Sequence, residues 1–133
     1  MDHPRYVERF ANSFYDSRHL DAAPFGSDVG ADMLQDVEHD DGVLPASATI
    51  ASLLPWGDVP SHLKGAESGD REGLHLIYAA GFLLLRFTGT ISPGDLVVLR
   101  SALLRLAEAS GMEEIHAVVL KDLDAFAREQ RGH

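Results

Sequence analysis

The chain contains no cysteine among its 133 residues, which excludes a disulfide framework, a thiolate zinc site and a cysteine nucleophile together. The cytoplasm is the expected compartment for such a chain. Basic side chains are scarce: eleven Lys and Arg stand against 21 Asp and Glu, a formal charge of −10. Phosphate backbones and anionic lipid are held by clustered Lys and Arg, so neither nucleic acid nor a membrane surface is an expected partner. A basic protein or a divalent cation suits this field better. Long apolar runs are missing too. The longest, Leu74 to Leu85, covers about 12 residues, is interrupted by His75 and includes Gly81, whereas a bilayer crossing needs roughly 20. It reads as a buried core helix. The opening Met1-Asp2-His3-Pro4-Arg5 leads into a polar segment without the apolar stretch of a signal peptide, so export by that route is not expected.

Catalytic signatures are equally sparse. The seven histidines, at 3, 19, 39, 62, 75, 116 and 133, include no His-x-x-x-His pair of the kind that builds a zinc helix. His75 and His116 fall on apolar helices and read as core histidines with one satisfied ring nitrogen. No Gly-x-Ser-x-Gly elbow occurs. The stretch Gly65-Ala66-Glu67-Ser68-Gly69 is acidic and lacks the lysine of a phosphate-binding loop. No catalytic residue is assigned from the sequence.

A chain of this length fits one domain, which buries roughly two-thirds of its unfolded surface without staples. Its charge is uneven. Residues 1–63 carry three basic and eleven acidic side chains, and residues 64–133 carry eight and ten. The acidity of the first half gathers where Asp28, Asp32, Asp36 and Asp40 recur every four residues. That spacing lines carboxylates along one side of any helix formed there.

The apolar residues Tyr6, Val7, Phe10, Phe14 and Tyr15 approximate a helical repeat from Arg5 to Tyr15, with Pro4 suited to a first turn. Pro24 holds Ala23 extended and Gly26 permits a turn. Ser27 then caps a second helix, with Asp28 at the positive end of its dipole and Gly42 as a left-handed terminator. Ala31, Met33, Leu34 and Val37 form its apolar side. Pro45, Pro55 and Pro60 resist a long helix between Val43 and Gly69, although a short one fits Ala48 to Leu54. Residues 57–70 read as an exposed loop. A central helix covers about 71–87, buried nearly all round. Ser92-Pro93-Gly94-Asp95 opens another to Ala109, with a stripe at Leu96, Leu99, Leu103 and Leu106. A last helix follows Ser110-Gly111-Met112-Glu113, burying Ile115, Val118, Val119, Leu123 and Phe126.

The expected fold is therefore all-α: a single-domain bundle of five or six helices over 1–133. Its acidic half, 1–63, packs on a helical core spanning 71–131. The alternative is an α+β fold with a strand or hairpin near 82–91, because Phe82-Leu83-Leu84-Leu85-Arg86-Phe87-Thr88 is rich in strand-forming residues.

The pattern Asn12-Ser13-Phe14-Tyr15, a spacer, then Ala23-Pro24-Phe25-Gly26-Ser27-Asp28-Val29-Gly30-Ala31-Asp32 resembles the opening signature of the uncharacterised bacterial YfeS-like family. Tyr78-Ala79-Ala80-Gly81-Phe82 through Gly89-Thr90-Ile91 resembles that family's helix and Gly-x-Ile turn, so the likeness loosely spans most of the chain. Some members carry a WGR domain associated with nucleic acid. Here Trp56-Gly57-Asp58 supplies only the first two letters, in a proline-rich stretch without basic charge, so that link is not carried over. The resemblance implies a fold neighbourhood and no activity.

Two function classes follow from the residues. In the first, the chain is a non-enzymatic binding module, whether regulator, adaptor or immunity-like protein. Phe25, Asp28, Asp32, Asp36, Asp40 and Trp56 would meet a basic protein, flanked by Glu38 and Asp41. Phe25 and Trp56 sit in turns, where an aromatic either plugs the core edge or anchors a partner. In the second, Asp28 and Asp32 hold a hard cation such as Mg²⁺, Mn²⁺ or Ca²⁺, with His39 available to a softer metal, in a metal-dependent enzyme. Four turns span about 18 Å, so one ion reaches at most a neighbouring pair, and no Asp-x-Asp-x-Asp-Gly calcium loop is present. Otherwise no cofactor is expected. A third reading is oligomerisation through the leucine-rich helix at 93–109.

Overall fold

The computed structural model describes residues 2–18, 20, 22–55, 58–111 and 113–131. Among these the fold is all-α, with seven α-helices, one 3-10 turn and no strand. The helices are α1 Pro4–Arg9, α2 Asp28–His39, α3 Ile50–Leu53, α4 Val59–Glu67, α5 Glu72–Thr88, α6 Pro93–Ala109 and α7 Glu114–Arg131, with the 3-10 turn at Ser13–Asp16. The strand alternative at 82–91 is excluded, since Phe82 to Thr88 complete α5. None of the described helices is long and apolar enough to cross a membrane.

α5 is the axis of the bundle, and α1, α2, α3, α4 and α6 all pack against it while α7 lies on α6 and α1. Every residue from Leu76 to Leu85 is buried, which accounts for the sequence being apolar on all sides rather than along one stripe. Close approach of α6 depends on Gly81, where a Cβ would lie 2.7 Å from the Leu99 Cδ1. α6 begins where the sequence places it. The Ser92 hydroxyl accepts from the Asp95 amide at 3.2 Å and Pro93 occupies the first turn.

The first helix is shorter than its periodicity suggests. In a continuous helix Tyr6 and Tyr15 would sit about 180° apart at 100° per residue. The chain instead leaves the helix at Phe10, and the Asn12 side chain accepts from the Phe14 amide to start a 3-10 turn. Tyr6, Phe10 and Tyr15 thereby all reach the interior. Phe10 lies 5.1 Å from Tyr6, 5.2 Å from Tyr15 and 5.3 Å from Phe82, measured between ring centroids. The N-terminal half is thus part of the core and not only an outer layer, for the same buried cluster holds Tyr6, Phe25, Leu34 and Ile50 together with Leu123 and Phe126.

Residues 57–70 are a correction. The stretch from Val59 to Glu67 is α4 and not a loop. Asp58 caps it, accepting from the Ser61 amide at 2.8 Å, and Pro60 falls in the first turn, where no intrahelical N–H is lost. Hydrogen bonding from the Ser61 hydroxyl, and then from its amide, lowers the Asp58 pKa from its ordinary value. α4 buries no residue completely and leans on the core through Val59, Leu63 and Ala66, so its apolar signal is too thin to register against three prolines nearby. With α4 the helix count among the described residues becomes seven.

Candidate functional site: an acidic groove beside α2

α2 forms as its sequence dictates. The Ser27 hydroxyl accepts from the Gly30 amide at 3.0 Å, and the helix closes at Asp41 and Gly42, both with positive φ, while the Gly42 amide donates to the Val37 carbonyl at 2.9 Å. Met33, Leu34 and Val37 turn inward against α5. Asp28, Asp32, Asp36 and Asp40 are exposed on the other side. Among the described residues no Lys, Arg or His forms an ion pair with any of the four. Glu38, by contrast, is engaged by Arg18.

Beside this row lies a groove of about 440 Å³, within the ~300–1,000 Å³ typical of ligand clefts. Its floor is apolar, made by Val29, Met33 and Val37 of α2, Leu53 of α3, and Leu76 and Leu83 of α5. Leu44, Ser52 and Pro55 close the far side. One rim carries Asp32, Asp36 and Asp40. The groove therefore joins an apolar bed to a wall of negative charge repeating once per turn, about 6 Å apart.

The structure sorts the sequence candidates. Asp32, Asp36 and Asp40 come together on the rim. Asp28 stays exposed at the start of α2, outside the groove lining. Phe25 is not a partner anchor: it is fully buried, and the Arg86 guanidinium lies 5.7 Å from its ring centroid. Plugging the core edge is its role. Trp56 lies outside the described residues. Among the described residues no three His, Asp or Glu side chains converge in a way that would hold a metal ion. The leucines of the floor were legible only as core, because the pairing of α3 with α5 that exposes one edge of Leu53 is a tertiary event.

A second polar cluster sits at the end of α5. Arg86 is 9% exposed, and its guanidinium pairs with Asp2 at 2.9 Å and Asp16 at 3.0 Å. Burial opposes its charge, but these carboxylates, with the neighbouring Tyr6, hold its pKa above the ordinary value. The His3 amide donates to the Arg86 carbonyl at 2.7 Å, so the cluster ties the N-terminal segment to the axis helix. It is a structural clasp.

No family model, curated protein or solved structure matches the chain. The all-α groove therefore has to be interpreted from its own chemistry.

Proposed function

We propose that this chain is a cytoplasmic, non-enzymatic binding module of the regulator, adaptor or immunity-like kind, and that it takes a basic protein on the Asp32–Asp36–Asp40 rim. Kinship with the YfeS-like proteins belongs to the same reading and rests on the sequence pattern. The observation that carries the reading is the row of exposed carboxylates that pair with no cation among the described residues, set against an apolar groove. A carboxylate row that served only to solvate a helix would need no apolar bed beside it. Fields of this kind accelerate encounter by about 10-fold to 10³-fold and weaken with salt.

Affinity capture at low and high salt, with the native chain and with Asp32→Asn/Asp36→Asn/Asp40→Asn, tests the proposal. A basic protein held by the native chain, and released both by salt and by the triple substitution, is the expected result. Capture that ignores both changes contradicts it. Calorimetry with Mg²⁺, Mn²⁺ and Ca²⁺ addresses the cation reading in parallel. Saturable uptake abolished by Asp28→Ala/Asp32→Ala would transfer the site to a metal.

A further inference from the structure

The groove narrows the kind of partner, and this inference rests on the reading of its rim as a docking wall. We propose that the occupant is a single amphipathic, basic α-helix of a partner protein. Its apolar stripe lies on the floor between α2 and α5, and its Lys or Arg side chains, one turn apart, face Asp32, Asp36 and Asp40.

Three features favour a helix over other occupants. The first is register. The three rim carboxylates span about 12 Å over two turns, so a helix lying along α2 with cations at i, i+4 and i+8 meets all three. The second is hydrogen bonding. The floor presents Met33, Val37, Leu53 and Leu76, none of which can satisfy a peptide backbone. Among the described residues there is no strand whose edge could do so. An extended segment seated here would find only the Ser52 hydroxyl and the rim carboxylates as side-chain partners for its backbone, whereas a helix brings its own bonds already made. The third is charge. The rim repeats the carboxylate once per turn and has no internal cation competing for it among the described residues, so complementary charge comes from outside.

A second copy of the chain is a poorer occupant. Its best internal match is the outer stripe of α6, where Val97 is 69% exposed and Arg100 and Arg105 flank Leu104. Those cations are already engaged: Arg100 by Asp124 at 3.1 Å and Arg105 by the Leu63 carbonyl at 2.9 Å. Two copies each carrying −10 also repel.

The test uses two labelled synthetic peptides of identical Leu, Lys and Ala composition. One arranges leucines at i, i+3, i+4 and i+7 with lysines one turn apart on the flank, and the other is scrambled to destroy both faces. Fluorescence anisotropy on the native chain should give at least about ten-fold tighter binding of the amphipathic peptide, as expected when apolar anchors are seated, with a gain in helical circular dichroism on mixing. Leu53→Glu and Val29→Glu, each confirmed folded by thermal melting, should bring the two affinities together. Equal binding of both peptides by the native chain, still sensitive to Asp32→Asn/Asp36→Asn/Asp40→Asn, overturns the helix and leaves the acidic rim standing. Binding of neither peptide overturns both.

Discussion

Phe25 and Arg86 illustrate how single side chains decide between surface and core. The Phe25 ring is enclosed, covered by a guanidinium that is itself pinned by Asp2 and Asp16. Phe25→Ala should therefore cost about 3–5 kcal/mol, as for other enclosed aromatics, read as a lowered denaturant midpoint, and a loss below ~1 kcal/mol would contradict its role as a plug. Beside it, Gly26 lies so near the Leu20 carbonyl that a Cβ would overlap it, and the obstacle is backbone that cannot rotate away. His116 gives a residue-scale pH signature. It is 2% exposed with its Nδ1 unpartnered, and burial pushes its pKa below the ordinary 6.5 against an opposing pull from Glu113. The unfolded chain thus takes up this proton first, so stability is intact above ~6.5 and falls as pH drops through it. His116→Leu should flatten the slope of stability between about pH 7.5 and 5.5. An unaltered slope would show that the histidine is not held neutral.

The helices differ in how plainly the sequence announces them. α2 and α6 carry a hydroxyl cap, an acid in the first turn and an apolar face, and each begins where those residues place it. Ser27→Ala should cost about 1 kcal/mol by exposing the Gly30 amide, and thermal melting of the variant measures it. The N-terminal aromatics misled because periodicity alone cannot foresee that Asn12 interrupts a helix to bring Tyr15 round to the core. α4 was illegible for the opposite reason, since its stabilising features, Asp58 and Pro60, are also loop residues. The candidate site was half legible. A four-residue repeat is enough to find the acidic side of α2. That Asp32, Asp36 and Asp40 border a groove while Asp28 does not depends on where α3 and Leu44 fall, which no local pattern encodes.

Taken whole, the molecule is an interior crowded with phenols and an outside crowded with carboxylates. Its three tyrosines, Tyr6, Tyr15 and Tyr78, are all buried. Burial raises each pKa well above the ordinary 10, with Asp122 adding to the effect at Tyr15, whose hydroxyl donates to that carboxylate at 2.6 Å. The folded state therefore keeps its phenol protons when the unfolded state would release them. Stability is full below about pH 10 and is lost as pH rises beyond it. Tyrosinate absorbance should appear in one step coincident with loss of helical circular dichroism, and a phenol titrating while the helices persist would contradict the packing. The outer surface is tested by rate. Stopped-flow association of the amphipathic lysine–leucine helix, followed across ionic strength, should slow steeply with salt for the native chain. It should slow about ten-fold or more on Asp32→Asn/Asp36→Asn/Asp40→Asn at low salt, with the salt dependence flattened. Equal rates and equal salt slopes for the two proteins would mean that the rim takes no part in recognition.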